Sequence, residues 1–84
     1  MTKDEIKGAV LKALMTVAPE ANAADIDPKM PLREQLDIDS FDFLNVLVRV
    51  HEALSVDIPE ADYAKVSTLD GFVSYLAAKT AAAA

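Results

Sequence analysis

The stretch Asp39-Ser40-Phe41-Asp42-Phe43-Leu44-Asn45-Val46-Leu47-Val48-Arg49-Val50-His51-Glu52-Ala53-Leu54 opens on two residues that favour a helix N-cap and continues with apolar side chains at helical spacing. At about 100° per residue, Phe43, Leu47, Val50 and Leu54 fall on one face, while Phe41, Asn45, Val48 and Glu52 fall on the opposite one. Asp39 and Asp42 set negative charge against the positive end of the helix dipole. The spacing predicts a helix from Asp39 or Ser40 to about Leu54, with the first face in the core and Phe41 and Val48 exposed. Such a helix needs partners to cover its apolar face.

Upstream, Thr2 and Glu5 make a Thr-x-x-Glu capping box, and Ile6, Val10, Leu14 and Val17 share one face of a first helix that Pro19 ends. Residues 18–39 are a long connection with Pro28, Pro31 and the isolated apolar residues Ile26, Met30, Leu32, Leu36 and Ile38. A loop of about 20 residues is unusual in a compact domain. Those apolar side chains are expected to pin it to the core, with a short helical turn around Leu32 to Leu36. Downstream, Val56 and Ile58 close the turn after the second helix, and Pro59 suits the first position of a short third helix through Ala64. Ser67 and Asp70 offer a further capping box, and Leu69, Phe72, Val73 and Leu76 would carry the last helix inward.

Only two Gly and four Pro occur, and no useful length alternates apolar with polar residues. The expected fold is all-α, a four-helix bundle with a long loop between helices 1 and 2 and a short helix 3. At 84 residues the chain fits one core. Residues 1–80 are expected to form that single domain, and 81–84 an Ala tail that frays for want of an apolar anchor larger than a methyl.

Fourteen acidic against eight basic residues give a net charge of −6, which repels nucleic acid and anionic membranes and favours partners with basic patches. The absence of Cys and the single His exclude a disulfide scaffold and a structural zinc site. No apolar run approaches the roughly 18 residues needed to span a bilayer, and a cytoplasmic monomer is expected.

The chemistry-bearing segment is the acidic turn Leu36-Asp37-Ile38-Asp39-Ser40-Phe41, which delivers a serine onto the head of a helix. An Asp-Ser pair by itself is an ordinary N-cap. A nucleophilic serine would need a general base, and the sole His, His51, stands roughly 16 Å away by helical rise, so catalysis by Ser40 is excluded. A phosphodiester on Ser40 fits better, because free N–H groups and the helix dipole accept added negative charge at that end. Phe41 and Val48, bordered by Asp42 and Glu52, form a candidate docking strip that starts beside Ser40. His51 reads as a boundary residue, and Tyr63 and Tyr75 as caps on the core.

Asp39-Ser40-Phe41 resembles the mark of the acyl carrier protein family, an Asp-Ser pair usually followed by Leu at the start of the second of four helices. The resemblance extends to Pro31 and Leu32 in the long loop, to Ile58-Pro59-Glu60, and to Lys65-Val66-Ser67-Thr68-Leu69 before the last helix. It implies a carrier and not an enzyme, with Ser40 covalently bearing a 4'-phosphopantetheine arm taken from coenzyme A by a phosphopantetheinyl transferase. Asp39 would help orient magnesium during that transfer. Asp39, Phe41, Asp42, Val48, Glu52 and Ile58 would meet acyl-loading and acyl-processing enzymes, and Phe43, Leu47 and Tyr63 would line a groove for the carried chain. Two positions depart from the pattern. Asp37 stands where the family often has Gly, and Asn45, Arg49 and His51 stand where carriers of fatty acid synthesis are often acidic, which points to a dedicated pathway. A peptidyl or aminoacyl carrier and an unmodified helical adaptor share the same sequence features.

Overall fold

Four α-helices and two 3₁₀ segments account for the regular structure in the computed structural model, which describes the backbone of residues 2–83 and the side chains of residues 2–80. Helix α1 (Lys3–Val17) begins with the expected box: Glu5 N–H donates to Thr2 Oγ1 at 3.2 Å and Thr2 N–H donates to Glu5 Oε1 at 3.0 Å. Those bonds hold the Glu5 carboxyl below its usual range. Ile6, Val10, Ala13 and Leu14 are buried, whereas Val17, at the end of the helix, is half-buried.

The long connection is tied down at three levels. Asn22 caps a 3₁₀ turn (Ala23–Asp25), and helix α2 (Leu32–Gln35) forms where a helical turn is expected. Gln35 then clamps the loop behind it: its Oε1 accepts from Asp27 N–H at 2.8 Å, and its Nε2 donates to the carbonyls of Asp27 and Met30 at 2.8 and 2.9 Å. Finally, Leu32 N–H donates to Ser67 O at 2.8 Å and Asp70 N–H donates to Pro28 O at 3.0 Å, joining the loop to the entry of the last helix. Ile26, Leu32 and Ile38 are buried as pins. Met30 is not a pin, being 41% exposed.

Helix α3 (Ser40–Leu54), the predicted second helix, buries Phe43, Leu47 and Val50 as expected, and also Val46. It stops at Ser55, which turns left-handed (φ 56°) while its N–H donates to His51 O. The third helix differs from expectation. It is a 3₁₀ segment (Glu60–Val66) rather than an α-helix through Ala64, and Pro59 precedes it with extended ψ. An i+3 bond from Asp62 N–H to Pro59 O tightens its first turn. Helix α4 (Leu69–Ala83) buries Leu69, Phe72 and Leu76, with Val73 half-buried. Its cap is also not the expected one. Thr68 Oγ1, not Ser67, accepts from Gly71 N–H at 3.0 Å, because the helix starts at Leu69 and so puts Thr68 at the capping position. The frayed tail expected at 81–84 lies outside the residues described with side chains.

α1 packs on both α3 and α4, and α4 packs on the 3₁₀ segment, so the fold is an all-α bundle with a long first loop. No polar or charged side chain is buried in this core among the described residues. The two glycines test the packing in opposite directions. A Cβ on Gly71 would stand 2.6 Å from Lys65 O, whereas one on Gly8 meets nothing within 4 Å. In urea titrations Gly71→Ala is expected to lose about 1–3 kcal/mol by overpacking. Gly8→Ala is expected to gain about 0.5–1 kcal/mol from helix propensity.

Candidate functional site

The head of α3 is built by a division of labour between adjacent residues. Asp39 is the N-cap, with extended backbone (φ −88°, ψ −176°), and its Oδ1 accepts from Asp42 N–H at 2.8 Å. Asp42 Oδ2 returns toward Asp39 N–H at 3.5 Å, a weak second half of the box. Ser40 is therefore the first helical residue and not the cap. Its side chain is exposed, and among the described residues its hydroxyl makes no hydrogen bond to another group.

The chain reaches this point through a left-handed residue. Asp37 has φ 51° between half-buried Leu36 and buried Ile38, so the backbone reverses while its neighbours hold to the core. Asp is one of the few non-Gly residues that visit this region routinely. The turn that Gly commonly provides in the resembling family is thus made here by Asp37.

Beside Ser40 runs a groove of about 480 Å³ between the start of α3, helix α2 and the 3₁₀ segment, with Arg33, Phe43, Leu44, Glu60 and Tyr63 among its walls. Phe43 and Tyr63, two of the residues expected to line a groove, are both on its wall. Leu47 lies instead on a smaller neighbouring groove of about 170 Å³, shared with Val48, Ile58 and Tyr63. On the outer face of α3, Phe41 is 75% and Val48 53% exposed, as their helical phase predicts. Asp39 and Glu52 are exposed, whereas Asp42 and Ile58 are half-buried. Leu44, 40% exposed, joins Phe41 and Val48 and had no place in the sequence reading. Its i+3 and i+4 spacing to those two residues is the signal that places it on their stripe.

His51 stands at the far end of α3, with Nδ1 3.2 Å from Val56 O and 3.1 Å from Asp57 Oδ1, and so takes no part at Ser40. Tyr75 does cap the core edge: its hydroxyl donates to Asp62 Oδ2 at 2.6 Å. That bond pushes the phenol up to about 12 and holds the Asp62 carboxyl below its usual range. Among the described residues no group of three or more His, Cys, Asp or Glu side chains could hold a metal ion, and no helix is long and apolar enough to cross a membrane.

These features define a small helical domain whose serine-bearing helix head is capped by Asp39, exposed and flanked by a groove. Residues 5–76 match the family described as phosphopantetheine attachment site. The chain belongs to that family. It is 28% identical to the acyl carrier protein of Acidothermus cellulolyticus over 83 residues, covering 99% of this chain and 98% of that one. The acyl carrier protein of Helicobacter hepaticus is 26% identical over 81% of this chain and 90% of its own length. That of Rubrobacter xylanophilus is 28% identical over 63% of this chain, and this match spans 65% of the Rubrobacter protein. A solution structure from Anaplasma phagocytophilum, of a chain assigned as an acyl carrier protein, superposes with a TM-score of 0.80 at 26% identity, covering 94% of this chain and 92% of that one.

Two outcomes follow from this geometry. Asp37→Val, which puts a β-branched residue at positive φ, is expected to lower stability by about 1–2 kcal/mol in urea titration, whereas Asp37→Gly is tolerated. For Tyr75, the raised phenol means that the bond to Asp62 is fully present below pH of about 10 and lost as pH rises through about 12. The lowered Asp62 carboxyl means that the same bond's contribution is present above pH of about 4 and lost as pH falls through the depressed value. Spectrophotometric titration of the two tyrosines should show one phenol ionising near pH 12, and Tyr75→Phe should remove that transition.

Proposed function

We propose that the protein is an acyl carrier whose 4'-phosphopantetheine arm is attached to Ser40, with residues 1–80 acting as a single carrier unit. The observation that carries this reading is the cap arrangement: Asp39 satisfies the helix, which leaves the Ser40 hydroxyl exposed and free of partners beside a groove. A phosphodiester formed there stands at the positive end of α3, where the helix dipole favours an anion.

In the transfer, the Ser40 oxygen forms a bond to the phosphorus that bears pantetheine in coenzyme A. The P–O bond to the departing adenosine bisphosphate breaks, and the hydroxyl proton passes to a base of the transferase. Once attached, the arm supplies a terminal thiol for thioester chemistry. The chain's own contribution is presentation. Ser40 holds the arm on a rigid helix head, while Phe41, Leu44 and Val48 offer apolar contact to partner enzymes and Asp39 and Glu52 offer charge to their basic patches. Asn45, Arg49 and His51 lower the acidity of the same helix, which fits enzymes of a dedicated pathway better than those selected for a uniformly acidic one.

Incubation with coenzyme A and a broad-specificity phosphopantetheinyl transferase, read by intact mass, is expected to add one arm to the wild-type protein and none to Ser40→Ala. Folding of that variant should be nearly unchanged, because the cap resides in Asp39. A wild-type protein that gains no adduct with any of several transferases would be an unmodified adaptor.

A further inference from the structure

We infer that Arg33 is a positioning residue for the arm, its guanidinium pairing with the phosphodiester on Ser40 and directing the arm along the groove between α3 and the 3₁₀ segment. This inference rests on the proposed attachment at Ser40. Arg33 and Ser40 line the same groove, and Arg33 is the only basic residue among its walls. The ion pairs among the described residues are His51–Asp57 and Lys65–Asp62, so this guanidinium is not already engaged by a carboxylate.

The backbone beneath Arg33 is fixed on both sides. Leu32, the residue before it, is fully buried and donates its N–H to Ser67 O, and Gln35, two residues after it, clamps the loop. A phosphodiester at Ser40 would also lie within three residues of Asp37, Asp39 and Asp42 and share the groove with Glu60, carboxylates whose repulsion the cation on that groove offsets. The anion in question is the phosphodiester and not a carboxylate of the cargo, because the phosphorus is bonded to the Ser40 oxygen itself whereas the cargo hangs from the distal thiol. A planar guanidinium suits two phosphate oxygens at once, a match that Lys lacks. The pair is exposed to solvent, so it is screened by salt and acts on the direction of the arm more than on its attachment.

The test uses the full chain before and after modification, with intact mass reporting the adduct. The protein has two arginines, and Arg49 lines a separate groove with Lys12 and Glu52, so it serves as an internal control. On modification, the Arg33 side-chain Nε–H resonance should shift several-fold more than that of Arg49. The phosphorus resonance of the modified wild type should move as salt rises from low to about 0.5 M. In modified Arg33→Gln that salt response should be lost, and in Arg33→Lys partly kept. If an adduct forms but Arg33 shifts no more than Arg49, or Arg33→Gln keeps the wild-type salt response, the inference is overturned and the carrier reading stands. If no adduct forms, both fall together.

Discussion

Two backbone hydrogen bonds, Leu32 N–H to Ser67 O and Asp70 N–H to Pro28 O, hold the long loop against the entry of α4, and the site depends on them. They bring α2 alongside the 3₁₀ segment and so close one wall of the groove beside Ser40. Without them, residues 18–39 would be held to the bundle by apolar anchoring, chiefly of Ala18, Ile26, Leu32 and Ile38 with Leu36 beside them, which fixes depth but not direction. Apolar burial is non-directional, whereas paired amides prescribe which strand of chain faces which. The hydrophobic pins place the loop on the bundle, and these bonds orient it.

The long helices were legible in the sequence because their signals are local and periodic. Thr2 with Glu5 marks one start, Asp39 with Asp42 the other, and the apolar faces follow from spacing alone. What escaped depends on partners distant in the chain. Gln35 has no local mark of a clamp, because its bonds go to Asp27 and Met30 across the loop. Ser67 has the position of a cap before Asp70, yet the helix starts one residue later, at Leu69, and the capping oxygen comes from Thr68. Leu44 was missed for a different reason: it sits at the border between the buried and exposed faces of α3, where helical phase alone does not assign a side. The groove and the place of Arg33 on it are tertiary facts with no sequence signature.

The surface electrostatics follow from the same assembly. Acidic residues gather at the head of α3, where Asp39 and Asp42 are partly spent on the cap, while Glu52 lies further along the exposed face. At the tail of the helix, His51 and Asp57 face one another beside the Val56 carbonyl. The head thus combines apolar contact with carboxylates bonded into the cap, whereas the tail sets Glu52 and Asp57 near Arg49 and His51. A partner surface that reads both ends must match this mixed pattern and not a uniform acidic stripe.

Asp37 bears on how rigid the presentation is. A residue with side chain at φ 51° persists only where its surroundings determine the turn, and here Leu36 and Ile38 are held on the core on either side of it. A glycine at the same place would reach this conformation without strain but would also leave the chain more alternatives, loosening the segment that aims Ser40. Asp restricts those alternatives while remaining one of the few side chains the left-handed region accepts. The helix head is therefore fixed by a turn with little slack, a cap supplied by Asp39 and a buried Ile38 immediately before it. On the proposed attachment at Ser40, the arm would then start from a helix head whose backbone is set by Asp37, Ile38 and Asp39 and not by the arm itself.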